Sequence, residues 1–433
     1  MKYIRRNDID NSIETFTRIL NDNHRHIGND TGWHQHLGTH KIGIVATAMA
    51  LLFYKTINKD APEKELNLNF IIGKQNPDGG WPYISNTNNE SNVESTCWAL
   101  LALYKYASVS FHDQIENGVN WLLAQYEQIP DSDNGWAFIT GSKPRIYITS
   151  FVLRVLKILG KDAGQEFESA KRWLINAQND DGGWGELPDK GSSLFFTCYS
   201  IITLVECGIE TNSSTINNAI NWLEKKISSI NIHDQTLICY LEFIENGTGD
   251  NRIRIPFFHY VLPYIVITFL KVGKKNGIVF DTVRLLLQRC SNGKIEHPML
   301  ENSRIIPIWI LYDIMISYQS FKDSYSNWEE KSDFFCLPFF QNKLIAIGKY
   351  NLFRLFIRIH NFIWYLIGLF VLIFIIVIGF QSYYSDAMNW WEKHINTISG
   401  QVILSLVVSA ICALPKLICM LTTSIIKHLK KKS

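Results

Sequence analysis

The chain has 433 residues and a formal net charge of +2. It therefore lacks the strongly basic composition that is typical of a nucleic-acid-binding domain. Its eight cysteines include no Cys-x-x-Cys pair and fall mostly on apolar helical faces, so we expect reduced, buried thiols and a cytosolic environment. The first residues are followed by polar residues rather than by an apolar run, so we expect no secretory signal.

A seven-residue motif occurs twice in the N-terminal half. It reads Gln-Asn-Pro-Asp-Gly-Gly-Trp at 75–81 and Gln-Asn-Asp-Asp-Gly-Gly-Trp at 178–184, and two looser copies end in Gly-Trp. The four tryptophans are 48, 55 and 48 residues apart and are Trp33, Trp81, Trp136 and Trp184. A period of about fifty residues indicates stacked supersecondary units, and the motif predicts a structural turn in each of them.

The segments on the two sides of the motif differ. Those that follow it are apolar nearly all round, which predicts inner helices buried on every side, at 44–54, 96–106, 150–159 and 197–207. Those that precede it, at 115–125 and 167–178, carry Trp121 or Trp173 on a single stripe, which is typical of half-exposed outer helices. The Gly-Gly pair supplies a helix stop between the two.

Two weaker pairs follow along the chain. The segment 216–226 repeats the outer pattern around Trp222 and 255–270 repeats the inner pattern, while 280–290 and 305–317 form a further pair without the tryptophan. About six such pairs predict an all-α fold, an (α/α)6 toroid over residues 1–338, because a closed ring buries inner helices that are apolar all round. An open solenoid of helix pairs is the alternative.

The Gly-Gly-Trp turn and the helix after it, Thr96–Leu103 (Thr-Cys-Trp-Ala-Leu-Leu-Ala-Leu), resemble the repeat of the prenyltransferase and squalene-oxidase superfamily. Squalene–hopene cyclases, class II diterpene cyclases and the β subunits of protein prenyltransferases share this repeat. The likeness is closest over 66–106 and 167–207 and is architectural beyond 215. It implies a terpene-cyclase-like toroid whose central cavity takes an isoprenoid or another long apolar lipid. Most copies of the repeat are structural, so the likeness alone does not establish chemistry.

The segment Asn92-Val93-Glu94-Ser95-Thr96 is the candidate catalytic motif. Class II terpene cyclases carry Asp-x-Asp-Asp-Thr at the start of such a helix, where the middle Asp protonates an alkene. Only Glu94 keeps an acid among the three carboxylate positions, so the resemblance implies Glu94 as the acid in an eroded motif. The alternative is a helix cap, with Glu94 in the first turn, where its charge favours the helix dipole.

Residues that enter the inner helices are expected to ring one mouth of the cavity. They are the predicted substrate-binding residues: Asn92, Ser95, Thr96, Tyr147, Thr149, Ser193, His259, Tyr260, Glu301 and Arg304. The chain also has 25 Phe, 18 Tyr and 13 Trp, and aromatic walls stabilise isoprenoid carbocations through their ring quadrupoles. The alternative is that the aromatic residues form helix-packing core.

We expect no cofactor. Five of the twelve histidines lie between positions 24 and 40, and His34, His36 and His40 are candidate ligands for a divalent metal. Solvated loop histidines are the alternative. The zinc site of protein prenyltransferases needs an Asp two residues before the ligating Cys, and neither Cys97 nor Cys198 has one.

The C-terminal part has a different composition. It predicts a basic amphipathic membrane-proximal segment at 339–361, a first transmembrane helix at 362–380 and a short extracytoplasmic loop at 381–400. A second transmembrane helix at 401–426, interrupted by Pro415-Lys416, and a basic tail at 427–433 follow. Lys and Arg flank the pair of helices on both sides, which places the toroid and the tail on the cytoplasmic side.

These observations predict a membrane-tethered toroid that acts on or binds an isoprenoid or another long apolar lipid, with the bilayer and its lipids as partners. As an enzyme it would carry out terpene-cyclase-like or prenyltransferase-like chemistry. The alternative is a non-catalytic toroid that binds a protein, a peptide or a lipid and signals through the membrane hairpin.

Overall fold

The computed structural model describes residues 4–37, 41–82, 90–107, 109–126, 134–137, 143–230, 238–244, 254–290, 306–325 and 334–335, together with 362–363, 366–367 and 370. The chain divides into two compact units, Met1–Leu337 and Pro338–Ser433. The predicted membrane segments belong to the second unit and lie outside the described residues, apart from the few between 362 and 370. Among the described residues, no helix combines the length and apolar character needed to cross a bilayer.

Twelve helices are described in the first unit. They are α1 Arg6–Asp22, α2 Ile44–Thr56, α3 Lys64–Gly73, α4 Val93–Ala107, α5 His112–Ala124, α6 Ile146–Ile158, α7 Gln165–Asn176, α8 Leu194–Glu206, α9 Ser214–Ser229, α10 Val261–Lys271, α11 Gly277–Arg289 and α12 Ile308–Ser324. Odd-numbered and even-numbered helices alternate between an outer and an inner position, so each pair consists of an outer helix followed by an inner one.

The inner helices form a closed ring. Each of α2, α4, α6, α8 and α10 packs against the next inner helix, and α12 packs against both α10 and α2. This last contact excludes the open solenoid and confirms the (α/α)6 toroid. The inner helices are apolar all round because they touch neighbours on every side. In α2, for example, every residue from Ile44 to Tyr54 is buried.

The outer helices bury a single stripe. In α7 the buried side chains are Phe167, Ser169, Ala170 and Leu174, spaced so that they share one helix face. The tryptophans Trp121, Trp173 and Trp222 lie on α5, α7 and α9, as the sequence predicts for outer helices.

Eight short strands form four antiparallel pairs within the described residues. The strands are β1 Ile4–Arg5, β2 Arg25–Ile27, β3 Asp30–Gly32, β4 His36–Leu37, β5 Ile238–Ile244, β6 Arg254–Tyr260, β7 Ile306–Pro307 and β8 Phe334–Phe335. Strand β4 pairs with β7 and β1 pairs with β8, so residues near the start of the unit bond to residues near its end. These pairs join the first and last parts of the ring.

The hairpin of β5 and β6 corrects the all-α prediction. The sequence pattern predicts an inner helix over 255–270, but residues 254–260 pair with 238–244 along seven residues and the helix begins at Val261. Both strands are rich in β-branched and aromatic residues, which favour strands. A short apolar run does not distinguish a strand from a buried helix by its periodicity, so the pattern missed this element.

Each Gly-Trp turn clamps an outer helix to the next inner helix. The four turn tryptophans have 0% exposure. Their indole N–H groups donate, at 2.7 to 2.8 Å, to the carbonyls of Leu20, Ile71, Leu122 and Leu174. Their backbone N–H groups donate, at 2.9 to 3.2 Å, to the hydroxyls of Thr47, Thr96, Thr149 and Thr197. The turn therefore satisfies polar groups at the end of one helix and fixes the start of the next.

The aspartates of the two full motifs brace the following outer helix. Asp181 accepts the Trp222 indole N–H through Oδ2 at 2.9 Å, and its Oδ1 accepts the Gly183 N–H and the Ser192 hydroxyl. Asp78 makes the same set of bonds, with Trp121 as the indole donor at 3.0 Å. These carboxylates are used within the turn, so their presence does not require a metal.

Gly182 combines a left-handed backbone with close packing. Its φ is +93°, and a Cβ built on it would lie 2.8 Å from the backbone oxygen of Asn218. Gly208 has a similar φ of +89° but nothing within 4 Å of the same point. A comparison of Gly182 with Gly208 therefore separates the cost of a left-handed backbone from the cost of a steric clash.

We predict that Gly182→Ala destabilises the toroid more than Gly208→Ala does. Both substitutions place a Cβ on a left-handed residue, which costs about 1–2 kcal/mol. Only Gly182→Ala also forces α9 away from the turn, which adds about 1–3 kcal/mol. Melting temperatures of the two variants measure the difference, and equal melting temperatures would show that the turn tolerates movement of α9.

Candidate functional site

A central cavity of about 810 Å³ runs through the ring of inner helices. All six inner helices contribute lining residues, and on α4 these are Glu94, Trp98, Leu101 and Lys105. Their spacing of three or four residues places them on one helix face, directed towards the ring axis. The site is therefore built from the sides of the inner helices, along most of their length.

The two ends of the cavity differ in exposure and charge. At the N-terminal ends of the inner helices the lining residues Glu94, Tyr147 and Trp309 are buried. At the C-terminal ends the lining residues Lys55, Lys105, Lys271 and Asp323 are exposed. A ligand would thus meet charged side chains at the exposed end and an enclosed acid at the buried end.

Glu94 and Tyr147 form a buried pair. The Tyr147 hydroxyl donates to Glu94 Oε1 at 2.9 Å, and the two residues are 9% and 4% exposed. Burial, and then the Glu94 charge, raise the pKa of Tyr147 well above its ordinary value. Tyr147 therefore remains a neutral hydroxyl donor, and it holds the carboxyl of Glu94 at one edge of the cavity.

Aromatic side chains form the wall next to this pair. The ring centroid of Tyr199 lies 5.1 Å from that of Tyr147 and 5.8 Å from that of Tyr264. Trp98 packs against Phe151 at 4.9 Å, and all five side chains line the cavity. Such a wall presents π faces that attract a cation.

A second buried acid faces the same cavity. Asp313 on α12 is 9% exposed, and the Tyr264 hydroxyl forms a side-chain hydrogen bond with it. Burial, and then the Asp313 charge, raise the pKa of Tyr264 well above its ordinary value. The sequence reasoning missed this residue. The sequence does contain a signal for a functional residue here, because the charged Asp313 interrupts the apolar run 308–317.

Arg154, Glu206 and Lys271 form an ion-pair group nearer the exposed end. Arg154 Nε donates to Glu206 at 2.7 Å, and Lys271 Nζ lies 2.9 Å from the same carboxylate. Burial alone would raise the pKa of Glu206, but the two cations outweigh it and lower that pKa. The Arg154 guanidinium also lies over the Tyr199 ring at 5.3 Å, so the group joins the charged end to the aromatic wall. The sequence reasoning missed these three residues as well.

Of the predicted substrate-binding residues within the described part of the chain, Tyr147 lines the cavity beside the candidate acid Glu94. Thr96 and Thr149 accept the backbone N–H groups of Trp81 and Trp136, and Ser193 caps α8. Asn92 Oδ1 accepts the backbone N–H groups of Glu94 and Ser95, which is the geometry of a helix cap.

The remaining predicted residues are Ser95, His259, Tyr260, Glu301 and Arg304. Ser95 is buried, and its hydroxyl has no hydrogen-bond partner among the described residues. Tyr260 is buried and accepts a hydrogen bond from Arg289 at 2.7 Å, and His259 pairs with Cys239 in the β5–β6 hairpin. Glu301 and Arg304 lie outside the described residues. A substrate-binding role for these residues stays a prediction.

Of the candidate metal ligands, His34 and His36 are described and His40 is not. The rings of His34 and His36 lie 5.9 Å apart, and His34 Nδ1 accepts the backbone N–H of His36 at 3.1 Å. Burial lowers the pKa of both imidazoles. One nitrogen of His34 is thus engaged by the chain, and metal binding here stays a prediction.

Cys97 and Cys198 are buried, free thiols on α4 and α8. Burial raises the pKa of Cys198 to about 12 and that of Cys97 well above its ordinary value. Both thiols are therefore protonated in the absence of a bound metal.

The family model described as "Prenyltransferase alpha-alpha toroid domain" matches the chain over residues 44–226 and 136–291. The squalene–hopene cyclase of Zymomonas mobilis subsp. mobilis is 26% identical over 188 residues, which cover 36% of this chain and 27% of the cyclase. The match therefore spans about a quarter of that relative's length.

The chain is also similar to solved structures of two proteins. The type II terpene cyclase MstE from Scytonema is 14% identical, with 73% of this chain and 99% of that chain covered and a TM-score of 0.46. Another structure of MstE is described as a complex with geranylgeranyl dihydroxybenzoate as substrate. An alpha-amylase from Clostridium perfringens is 13% identical, with 72% of this chain and 98% of that chain covered and a TM-score of 0.49. At these identities the likeness concerns the fold alone.

We predict that Glu206→Gln destabilises the protein at neutral pH and that the effect fades in acid. Glu206 is 22% exposed, and removing its charge leaves Arg154 and Lys271 without their partner, at a cost of about 1–3 kcal/mol. The folded pKa is lowered, so this contribution is present above the unfolded value of about 4.3 and is lost as pH falls through the folded pKa.

The measurement is the difference in unfolding free energy between wild type and variant from pH 7 downwards. Glu224→Gln is the control, because Glu224 pairs with Lys274 at the surface and contributes about 0–1 kcal/mol. A Glu206→Gln penalty that does not change with pH would contradict the lowered pKa.

Proposed function

Because the chain belongs to the prenyltransferase alpha-alpha toroid domain family, we propose that it binds an isoprenoid or another long apolar lipid in the central cavity and acts on it by terpene-cyclase-like protonation. The observation that carries the proposal is the Glu94 carboxyl, buried against the cavity and hydrogen-bonded by Tyr147. The sequence likeness to the squalene–hopene cyclase supports the same reaction class.

The cavity suits an apolar ligand with a polar end. Aromatic and aliphatic side chains form its middle, and the lysines Lys55, Lys105 and Lys271 stand at the exposed end. An amphiphilic lipid would place its head group at these cations and its hydrocarbon chain along the aromatic wall. This orientation brings the far end of the chain to Glu94.

The chemical step is a proton transfer from Glu94. In its protonated state the Glu94 carboxyl donates its proton to an alkene carbon, the π electrons form the new C–H bond, and the adjacent carbon becomes a cation while Glu94 is left as the carboxylate. The rings of Trp98, Tyr199 and Tyr264 stabilise this cation as further double bonds close onto it. Loss of a proton from the final cation ends the reaction and balances the charge.

Two observations favour a second candidate function, binding without catalysis. Asn92 acts as a helix cap, so the segment 92–95 has a structural explanation that needs no reaction. Glu94 also stands alone where class II cyclases have three carboxylates. In this second function the toroid binds a lipid, a peptide or a protein and transmits the binding to the C-terminal segment.

We predict that Glu94→Gln strongly lowers turnover and keeps ligand binding. The amide fills the same space as the acid but has no acidic proton to give, and losing a positioned acid lowers a rate by about 10²–10⁴-fold. The purified protein is incubated with squalene or with polyprenyl diphosphates, and the products are followed by mass spectrometry. Lipid binding is measured on the same samples.

Glu168→Gln is the matched control, because Glu168 is a surface acid on α7 paired with Lys171. It should leave turnover unchanged. Turnover in Glu94→Gln at the wild-type rate would remove Glu94 as the acid. Binding of these lipids by the wild type with no product from any of them would instead support the non-catalytic function.

We also propose that residues 362–380 and 401–426 anchor the protein in a membrane, with the toroid on the cytoplasmic side. Support comes from the uncharged run at 362–380 and from the basic residues on both flanks of the hairpin. Phe362 and Phe370 are 60% and 56% exposed, as side chains that face lipid would be.

We predict that a protease added to sealed, right-side-out cells leaves both the toroid and the Lys-rich tail intact. Both should be cut once the cells are permeabilised, and this arm is the control for protease access. Immunoblots against each end of the chain report the result. Cleavage of either part from outside sealed cells would refute the proposed orientation.

A further inference from the structure

A cluster of three metal-ligating side chains lies among the outer elements, away from the cavity. His24 follows α1, His26 lies on β2, and Glu63 immediately precedes α3. One ligand atom from each residue lies within 4.8 Å of the other two. The closest approach is 2.7 Å, between His26 Nε2 and Glu63 Oε2.

We propose that His24, His26 and Glu63 bind a zinc ion that links the first outer helix and its hairpin to the second outer helix. Two imidazoles and one carboxylate are ligands that zinc commonly takes in proteins. With three protein ligands, the fourth tetrahedral position is left for water. This site is distinct from His34, His36 and His40.

Buried polar side chains hold each imidazole in one orientation. The Asn67 amide donates to the Pro62 carbonyl at 2.7 Å, which turns its Oδ1 towards His24 Nε2 at 3.1 Å. His24 Nε2 therefore carries the proton, and the lone pair is on Nδ1. Asn67 has 0% exposure, so the contact is held by a fixed partner.

His26 is oriented in the same way. Its Nδ1 lies 3.1 Å from the hydroxyl of Thr31, a residue that is 4% exposed and sits opposite His26 in the β2–β3 pair. This contact leaves Nε2 directed at Glu63. Metal-bound histidines almost always use their second nitrogen for such a hydrogen bond, because it fixes the tautomer and the ring orientation.

The backbone also holds the three residues together. Glu63 has a φ of +46°, a left-handed conformation that is costly for a glutamate and is often found at functional positions. The His24 ring packs on the turn tryptophan Trp33 at 4.5 Å, so the cluster is attached to the first helix clamp. Strain at Glu63 serves to place its carboxylate beside His26.

Zinc binding needs only a small rearrangement. Ligands at about 2.0–2.1 Å from zinc in a tetrahedron lie about 3.4 Å from one another. The side chains of His26 and Glu63 are 52% and 43% exposed, so both can rotate. Rotation opens the 2.7 Å contact between them and shortens their distances to His24. A bound ion stabilises the folded state because the unfolded chain does not hold these three ligands together.

The experiment uses the untagged, full-length protein after chelator treatment and dialysis. Zinc is titrated in, and both the stoichiometry and the zinc-dependent rise in melting temperature are measured. We expect one zinc per chain. His24→Gln, His26→Gln and Glu63→Gln should each weaken the zinc affinity by at least about tenfold. His34→Gln combined with His36→Gln is the matched control and should bind zinc like the wild type.

His24→Gln separates the zinc site from a plain His26–Glu63 ion pair. His24 belongs to no ion pair described in the structure. An ion pair without a metal therefore predicts that the wild type and His24→Gln respond to zinc in the same way, whereas the zinc site predicts a weaker response in the variant. The proposal is overturned if the wild type binds no zinc, if a variant that combines His24→Gln, His26→Gln and Glu63→Gln keeps the ion, or if the control loses it. If a ligand variant does not fold, Asn67→Leu is tested in its place. It removes the hydrogen-bond acceptor that fixes the His24 tautomer, so it should weaken zinc binding without removing a ligand.

Discussion

The buried tryptophan of each Gly-Trp turn is the interaction on which the ring depends. Its indole N–H reaches the carbonyl two residues before the last helical residue of the outer helix, in all four copies. Its own backbone N–H meets a threonine near the start of the next inner helix. A buried polar group without a partner costs about 1–3 kcal/mol, so these bonds define the junction as strictly as the ring packing does.

The clamp matters most because the sequence of an inner helix does not by itself determine the rotation of that helix about its own axis. A helix that is apolar all round packs almost equally well in several rotations. The threonine bond fixes where the helix begins, and ring contact with both neighbours fixes its rotation. Once both are set, residues 94, 98, 101 and 105 of α4 must face the axis, and the cavity is formed from such rows.

The last two pairs lack the tryptophan. Strands take its place there, through the β5–β6 hairpin and the β4–β7 pair.

This difference explains what the sequence could and could not predict. The period of the motif and the contrast between outer and inner segments were enough for the toroid. The hairpin was missed because its strands are short apolar runs. The cavity lining was expected at the helix entries, whereas most of it comes from the helix sides. This difference has a physical cause, because an inner helix without a polar face does not show which side it turns to the axis. The informative residues were the polar exceptions within apolar helices, namely Arg154, Glu206 and Asp313.

These exceptions also bear on function. Burying an ionisable side chain among aromatic rings is unfavourable unless a partner offsets the loss of water. In the described part of the cavity the two buried acids each have such a partner, Tyr147 for Glu94 and Tyr264 for Asp313, and the half-buried Glu206 is paired with Arg154. An apolar side chain would fill each position at lower cost if stability alone were at stake. The cavity therefore keeps two buried acids and one half-buried acid at positions where stability alone would favour apolar side chains. The Glu94 pair lies at the buried end of the cavity, where a long apolar chain bound as proposed would end.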